Sequence, residues 1–196
     1  LGGNIFIKSG QYVIESSGEH AVGIGAINTD VNLDIECCLI EGEMSVSSGV
    51  LIGSDNGDVD IRISKVRLEA YVGGQDMIVV GSLHGKRAYV NMCDMSIDAG
   101  IRSDDATCLG AKNGESVIDI DRAGVTVDAM GKGALVFGGF EKPVKVSILN
   151  SNTKSIVHNA LGVDTYASDE DFNIVNGRGK FMINDEVVDR EMIYDV

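Results

Sequence analysis

A glycine that ends a short apolar run recurs at a nearly constant interval along this chain of 196 residues. We call these five residues the anchor glycines: Gly25, Gly53, Gly81, Gly110 and Gly138. Their spacings are 28, 28, 29 and 28 residues. A fixed period of this size is typical of stacked supersecondary units, each of which buries its apolar face only against its neighbours. The period therefore predicts a solenoid.

Within each unit, apolar and polar residues alternate, as strands with one buried face require. Positions eight and ten after the anchor are apolar, as in Leu33 and Ile35. Small or apolar residues return at 15 and 17, and the anchor run is a third apolar segment. We expect three short strands per unit. The third unit is longer by one residue, which we place in the turn LHGKRA at 83–88.

No segment of the unit has the helical period that the convex side of a leucine-rich repeat requires. The sequence therefore predicts an all-β fold, a single-stranded parallel β-helix of about five to six coils. We assign this domain to residues 1–160. We expect residues 161–196 to form a C-terminal antiparallel hairpin or meander, with strands around Asn176–Gly177 and around the turn Asn184–Asp185–Glu186. Such a segment would cap or flank the last coil.

Asparagines recur three residues after the anchors, at Asn28, Asn56 and Asn113. A glycine follows two of them directly. Both residue types tolerate positive φ, so the pattern predicts a turn that stacks on itself in successive coils. We expect these asparagines to hydrogen-bond within and between the turns rather than to bind a ligand.

The segment GGNIFIKSGQYVIESSGEHAVGIGA at 2–26 carries a family likeness. It resembles the repeat G-G-x-I-x-I-x-G-G-x-V-x-A followed by G-A-G-I-G of parallel β-helix proteins on bacterial cell surfaces. Some members are described as carbohydrate-binding or adhesin-like. The resemblance covers residues 2–160 and implies this architecture, with a binding or display role and a cell-surface or secreted location. Such motifs specify architecture rather than activity.

Charge and hydropathy exclude several classes of partner. The net charge of −14 repels a nucleic-acid backbone. The sequence contains no apolar run of about 18 residues for a membrane span, and no signal-peptide pattern. Because the chain opens at Leu1 inside a strand pattern, we expect it to be a fragment or a processed form.

The four cysteines, Cys37, Cys38, Cys93 and Cys108, match no zinc-binding spacing. Adjacent strand residues face opposite ways, so we expect Cys38 in the core and Cys37 outside. Unpaired thiols favour a reducing compartment, and a cytoplasmic location is therefore allowed.

An outward column 16 residues after the anchors contains Glu41 and Glu69, and Asp98 joins it once the extra residue of the third unit is allowed for. Arg67 and Tyr71 lie in neighbouring columns. These five residues form our candidate ligand or cation strip, since carboxylates beside an aromatic ring suit a sugar and several oxygens suit Ca²⁺. Calcium is the one candidate cofactor. The alternative is a solvated acidic face.

A second candidate surface lies two residues before the anchors. Leu51, Val79, Cys108 and Val136 are apolar there, next to a column that is apolar as well. Strands that are apolar on both faces are usually covered on both. We therefore expect an outer stripe covered by a second copy of the chain, another segment or the tail.

These features together predict a non-catalytic binding or display module of a larger bacterial protein, with a carbohydrate or a protein as partner. A C-terminal accessory or sensory domain of a cytoplasmic regulator is one alternative. A pectin-type polysaccharide lyase or hydrolase is another. We do not favour catalysis, because His20, His84 and His158 occupy unrelated repeat positions. The column of Lys65, Asp94 and Arg122 is typical of a surface charge ladder.

Overall fold

The computed structural model describes residues 2–130, 135–138, 142–149, 151–158, 172–175, 180–183 and 186–187. All regular secondary structure in these ranges is β-strand. No helix within the described residues is long and apolar enough to cross a membrane. The prediction of an all-β chain is confirmed.

The described strands form two sheets. The first contains β1 (Gly3–Ile7), β3 (Val31–Glu36), β5 (Val59–Ser64), β7 (Arg87–Cys93), β9 (Glu115–Asp121), β12 (Val144–Leu149) and β14 (Phe172–Val175). The second contains β2 (Gly10–Ala26), β4 (Cys38–Ser54), β6 (Arg67–Ser82), β8 (Ser96–Ala111), β10 (Gly124–Met130), β13 (Asn152–His158), β15 (Lys180–Ile183) and β16 (Glu186–Val187), with β11 (Leu135–Phe137) paired to β8. The chain alternates between the sheets, which makes each coil.

Each of the first four coils has one short and one long strand rather than three short ones. The short strand has five to seven residues, and the long strand has 16 or 17. The second and third strands predicted for each unit are therefore one continuous strand in β2, β4, β6 and β8. In the fifth coil the described parts of this segment are β10 and β11, and residues 131–134 between them lie outside the described residues.

Pairing between coils is parallel and follows the predicted period. Gly25 pairs with Gly53, Gly53 with Gly81, and Gly81 with Gly110. The register is 28 residues where Ser54 meets Ser82 and 29 where Val59 meets Ala88. The extra residue of the third unit therefore lies in the turn between them, as predicted. These pairings confirm the parallel β-helix.

The parallel pairing continues past residue 160. β14 pairs in parallel with β12, and β15 pairs in parallel with β13. β15 and β16 are antiparallel, which confirms an antiparallel hairpin near the C-terminus. The Asn176–Gly177 pair lies outside the described residues. A hairpin at that pair is nevertheless wrong, because β14 and β15 on either side of it belong to different sheets.

The core is made of inward columns that run the length of the solenoid. Leu33, Ile61, Val90, Ile118 and Val146 occupy equivalent positions and are at most 2% exposed. Burial of a branched aliphatic side chain contributes roughly 1.5–3 kcal/mol relative to exposure. A ladder of such residues holds each coil on the next, because every member contacts the coils above and below.

The proposed outer stripe is wrong. Leu51, Val79, Cys108 and Val136 are fully buried in the main core cluster. Leu51 points inward and packs over Gly42. A Cβ on Gly42 would lie 2.6 Å from Cδ1 of Leu51, so Leu51 fits there because Gly42 has no side chain. These residues offer no surface to a second copy of the chain.

The outer face of the anchor strand is instead covered by the chain's own turns. Val50 and Ile78, three residues before their anchors, form a small buried cluster with Leu83, and Val22 packs against it. Leu83 comes from the turn after β6. We call these four residues the outer cluster. The turn that stacks coil after coil therefore also closes the second apolar face.

The anchor glycines have φ values that side chains rarely adopt, from 72° at Gly138 to 148° at Gly25. A Cβ on Gly53 would lie 1.7 Å from the carbonyl oxygen of Gly81, and a Cβ on Gly25 would meet that of Gly53 at 1.6 Å. Both the conformation and the close approach of successive backbones therefore require glycine.

We expect Gly53→Ala to destabilise the fold by about 3 kcal/mol or more, because the methyl group collides with a backbone oxygen in an unfavourable φ region. Gly124→Ala is the matched control, since a Cβ there meets nothing within 4 Å. Urea unfolding followed by circular dichroism measures both variants. Equal stability of the two variants would contradict this explanation of the repeat.

Candidate functional site

The predicted strip lies in a concave groove on the outside of the second sheet. Glu41 pairs with Glu69, and Glu69 pairs with Asp98, so their side chains form one column across three coils. Strand neighbours of this kind are about 4.8 Å apart. The groove has a volume of about 490 Å³, and we call it the acidic groove. Six carboxylates line it: Glu15, Glu41, Glu43, Glu69, Asp98 and Asp128.

Tyr71 is the aromatic residue of the acidic groove, and its side chain is exposed. It pairs with Gly100 on the next coil, where a Cβ would lie 2.9 Å from a ring carbon of Tyr71. The absence of a side chain at Gly100 lets the ring extend across the neighbouring strand. Small inward residues, including Ala70 and Ala99, also line the groove.

Two arginines moderate the negative charge. Arg102 lines the groove and binds Asp128, with Nη2 3.0 Å from Oδ2 and Nη1 3.0 Å from the Asp128 carbonyl oxygen. Arg67 does not line the acidic groove, but its Nη2 lies 2.5 Å from Oε1 of Glu69. The structure therefore brings Glu41, Glu69, Asp98 and Tyr71 together and leaves Arg67 at the side.

The described residues include no group of three His, Cys, Asp or Glu side chains placed to hold a metal ion. The carboxylates of the groove therefore follow the strand ladder without forming a chelating cluster. Their free oxygens remain acceptors for hydrogen-bond donors of a ligand.

The predicted ladder of Lys65, Asp94 and Arg122 marks a sharp corner of each coil. These residues and Cys37 have φ values of 49–58°, the left-handed region, just before strands β4, β6, β8 and β10 of the second sheet. Arg122 Nε donates to Oδ1 of Asp94 at 2.6 Å, and this hydrogen bond lowers the pKa of the Asp94 carboxyl. The column is an exposed charge ladder at the corner, as its spacing indicated.

Asp55 was not among the predicted site residues, yet it is the centre of a polar cluster. Its side chain is 5% exposed and accepts hydrogen bonds from His20 Nε2 and His84 Nδ1, each at 3.0 Å. Asn56 Nδ2 donates to the same carboxylate at 2.6 Å. The histidines occupy different repeat positions, and the contact arises because Asp55 reaches residues one coil before and one coil after its own. We call these residues the Asp55 cluster.

Comparison of the chain with protein family models, curated proteins and solved structures found no match.

The cysteines occupy four different environments. Cys37 is exposed at the corner and Cys38 is buried at the start of β4, which confirms their predicted directions. Burial raises the pKa of the Cys38 thiol. Burial is also the main cause of the raised pKa of Cys93, whose Sγ lies 2.8 Å from Arg122 Nη2. Complete burial raises the pKa of Cys108 to about 12.

We expect a thiol reagent at about pH 8 to label Cys37 first and Cys108 only on unfolding, because the thiolate is the reactive form and Cys108 is buried as the thiol. Peptide mass spectrometry after timed labelling identifies the modified residues. Cys37→Ser is the control, since it should remove the fast phase. Labelling of Cys108 in the folded protein at the rate of Cys37 would contradict the inward position of its column.

The raised pKa of Cys108 also has a defined effect on stability. The folded chain retains this proton up to about pH 12, while a solvent-exposed thiol in the unfolded chain releases it near its ordinary pKa of 9.0. The contribution is therefore complete below about pH 9 and is lost as the pH rises toward 12.

Proposed function

We propose that this chain is a non-catalytic carbohydrate-binding module and that its ligand lies in the acidic groove. The observation that carries the proposal is the exposed Tyr71 ring, extended over Gly100 inside a row of carboxylates. A tyrosine ring offers an apolar face to the C–H face of a sugar, and carboxylates accept hydrogen bonds from its hydroxyl groups. The resemblance to cell-surface β-helix repeats supports the same role.

The shape of the groove favours an extended ligand. The groove includes residues of five successive coils, from Glu15 in β2 to Asp128 in β10. Its carboxylates repeat at the strand spacing of about 4.8 Å, so one kind of contact is offered several times along the solenoid axis. A polymer of similar units can use such a row repeatedly, as a small molecule cannot.

The charge of the groove restricts the sugar. Six carboxylates outnumber the one arginine that lines the groove. Like charges repel at these distances, so a polyuronate such as pectin is a poor ligand. Neutral glycans and glycans with amino sugars remain as candidate ligands of the acidic groove. The same argument weighs against the pectin-type lyase or hydrolase, whose substrate is a polyanion.

A binding experiment with the natural chain and two tyrosine variants tests this proposal. Neutral and amino-sugar oligosaccharides are titrated calorimetrically, with polygalacturonate as the anionic comparison. Tyr71→Ala should lower affinity about tenfold, roughly 1.4 kcal/mol, because the stacking face is lost. Tyr71→Phe should retain most of the affinity, since it keeps the ring.

Phe6→Ala provides the matched control, because Phe6 is 67% exposed on β1 of the other sheet and lies outside the groove. Equal losses in Tyr71→Ala and Phe6→Ala would overturn the assignment of the groove. Binding only of a lysine-rich peptide would assign the groove to a protein partner instead. Stronger binding of polygalacturonate than of neutral or amino sugars would also reject the proposal.

A further inference from the structure

The carboxylates of the acidic groove form two parallel columns, the second lying two residues further along each strand. The first contains Glu41, Glu69 and Asp98, and the second contains Glu15, Glu43 and Asp128. Tyr71 and Gly100 complete the second column. Neighbours within a column are about 4.8 Å apart, and the two columns are roughly 6.6 Å apart. Each of the five coils along the groove therefore supplies at least one carboxylate.

Most of these carboxylates have no cationic partner in the described part of the chain. Two of the six bind arginine side chains, and the other four do not. Glu41 accepts a hydrogen bond from Gln11 Nε2 at 3.3 Å. Glu15, Glu43 and Asp98 are exposed and have neither a hydrogen bond nor an ion pair to the described residues. The groove therefore presents free anionic acceptors on several coils.

The spacing of these acceptors suits a row of separate cations. They are spread along the solenoid axis, and the described residues do not gather three of them around one point. An ammonium group offers three hydrogen-bond donors and a full positive charge, and its hydrogen bonds to a carboxylate are charge-assisted. A polymer that bears one ammonium group on each unit therefore matches a groove that bears a carboxylate on each coil.

The two columns also suit the geometry of a β-1,4-linked glycan. Such a chain advances by little more than one strand spacing per sugar, and its successive sugars face opposite ways. Amino substituents therefore alternate between the two edges of the glycan, and the groove has carboxylates along both edges. Tyr71 belongs to the third of the five coils, so its ring provides a stacking face near the middle of the groove.

We propose that the acidic groove selects a polymer of protonated amino sugars, whose ammonium groups bind the two carboxylate columns while a sugar ring stacks on Tyr71. This inference rests on the proposed function, because it names the class of carbohydrate that the groove binds. One exposed ammonium–carboxylate contact contributes little, and repetition over successive coils multiplies the affinity. Acetylation of the amines removes the charge and leaves the sugar rings in place, so it should separate strong ligands from weak ones.

Two oligosaccharides that differ only in acetylation test the inference. They are a β-1,4-linked glucosamine oligomer and the N-acetylglucosamine oligomer of the same length, about five or six units. Calorimetric titration uses the natural chain at about pH 6, where amines are largely protonated and exposed carboxyl groups are ionised. The glucosamine oligomer should bind at least roughly tenfold more tightly. Its affinity alone should fall when sodium chloride is raised from about 0.05 M to about 0.5 M, because salt screens charges.

Asp98→Asn and Asp34→Asn are matched variants, because both residues are exposed on strands and each change removes one negative charge. Asp98 lines the groove, whereas Asp34 lies on β3 of the other sheet. Asp98→Asn should lower the affinity for the glucosamine oligomer about threefold and leave that for the acetylated oligomer unchanged. Asp34→Asn should change neither affinity.

The outcomes separate this inference from the proposed function. Equal or tighter binding of the acetylated oligomer, lost in Tyr71→Ala, would overturn the inference and leave the proposed function in place. Absence of binding for every oligosaccharide would reject both. Equal losses of glucosamine affinity in Asp98→Asn and Asp34→Asn, with no effect of Tyr71→Ala, would show only a general attraction to the net charge of −14 and would also overturn the inference.

Discussion

The close approach of successive backbones at the anchor glycines is the constraint on which this fold depends. The carbonyl oxygens of Gly53, Gly81 and Gly110 each lie where the Cβ of the preceding anchor would be. A slip of one residue would bring a side chain against that oxygen and would turn every strand residue to the opposite face. The coils must therefore have the same length within the strands. This explains why the one extra residue lies in the turn at 83–86 and not in a strand.

Because the coils stack in register, residues at one repeat position become direct neighbours and form a column. Apolar columns become more stable in this way, because their side chains bury one another. The same stacking lets Asn56 donate a hydrogen bond to Asn28 of the preceding coil. A column of carboxylates becomes less stable, because like charges on adjacent strands repel each other. Glu41, Glu69 and Asp98 form such a column, and of these Glu69 has an arginine at hydrogen-bond distance. The stability of the fold gives no reason for this alignment, whereas the proposed binding of a ligand in the acidic groove would give one.

The period and the alternation sufficed to predict the coil, the column of Glu41, Glu69 and Asp98, and the turn that holds the extra residue. The direction of Leu51 could not be predicted in this way, because both faces of its strand are apolar and the choice depends on Gly42 across the core. That packing of a large residue against a small one is a tertiary contact, which the period and the alternation do not reveal. The small residues Gly42, Ala70 and Ala99 in one column were its only trace in the sequence.

The Asp55 cluster was missed for a related reason. Repeat analysis finds contacts between equivalent positions, and His20, Asp55 and His84 are not equivalent. Their contact requires the turn to fold back over the anchor strand, as Leu83 of the next turn also does above Val50 and Ile78. Asp55 and Leu83 both lie two residues after an anchor.

The position two residues after an anchor therefore joins neighbouring coils, and the residue type found there differs along the solenoid. Leu83 is fully buried and packs with Val50 and Ile78, so apolar contacts stabilise this turn. Asp55 reaches the coils on both sides of its own, because its buried carboxylate accepts hydrogen bonds from His20 and from His84. An unpaired buried carboxylate would be unfavourable, so the two histidines are what allow a polar residue at this position. Charge-assisted hydrogen bonds therefore join the coils at Asp55, where apolar contacts join them at Leu83.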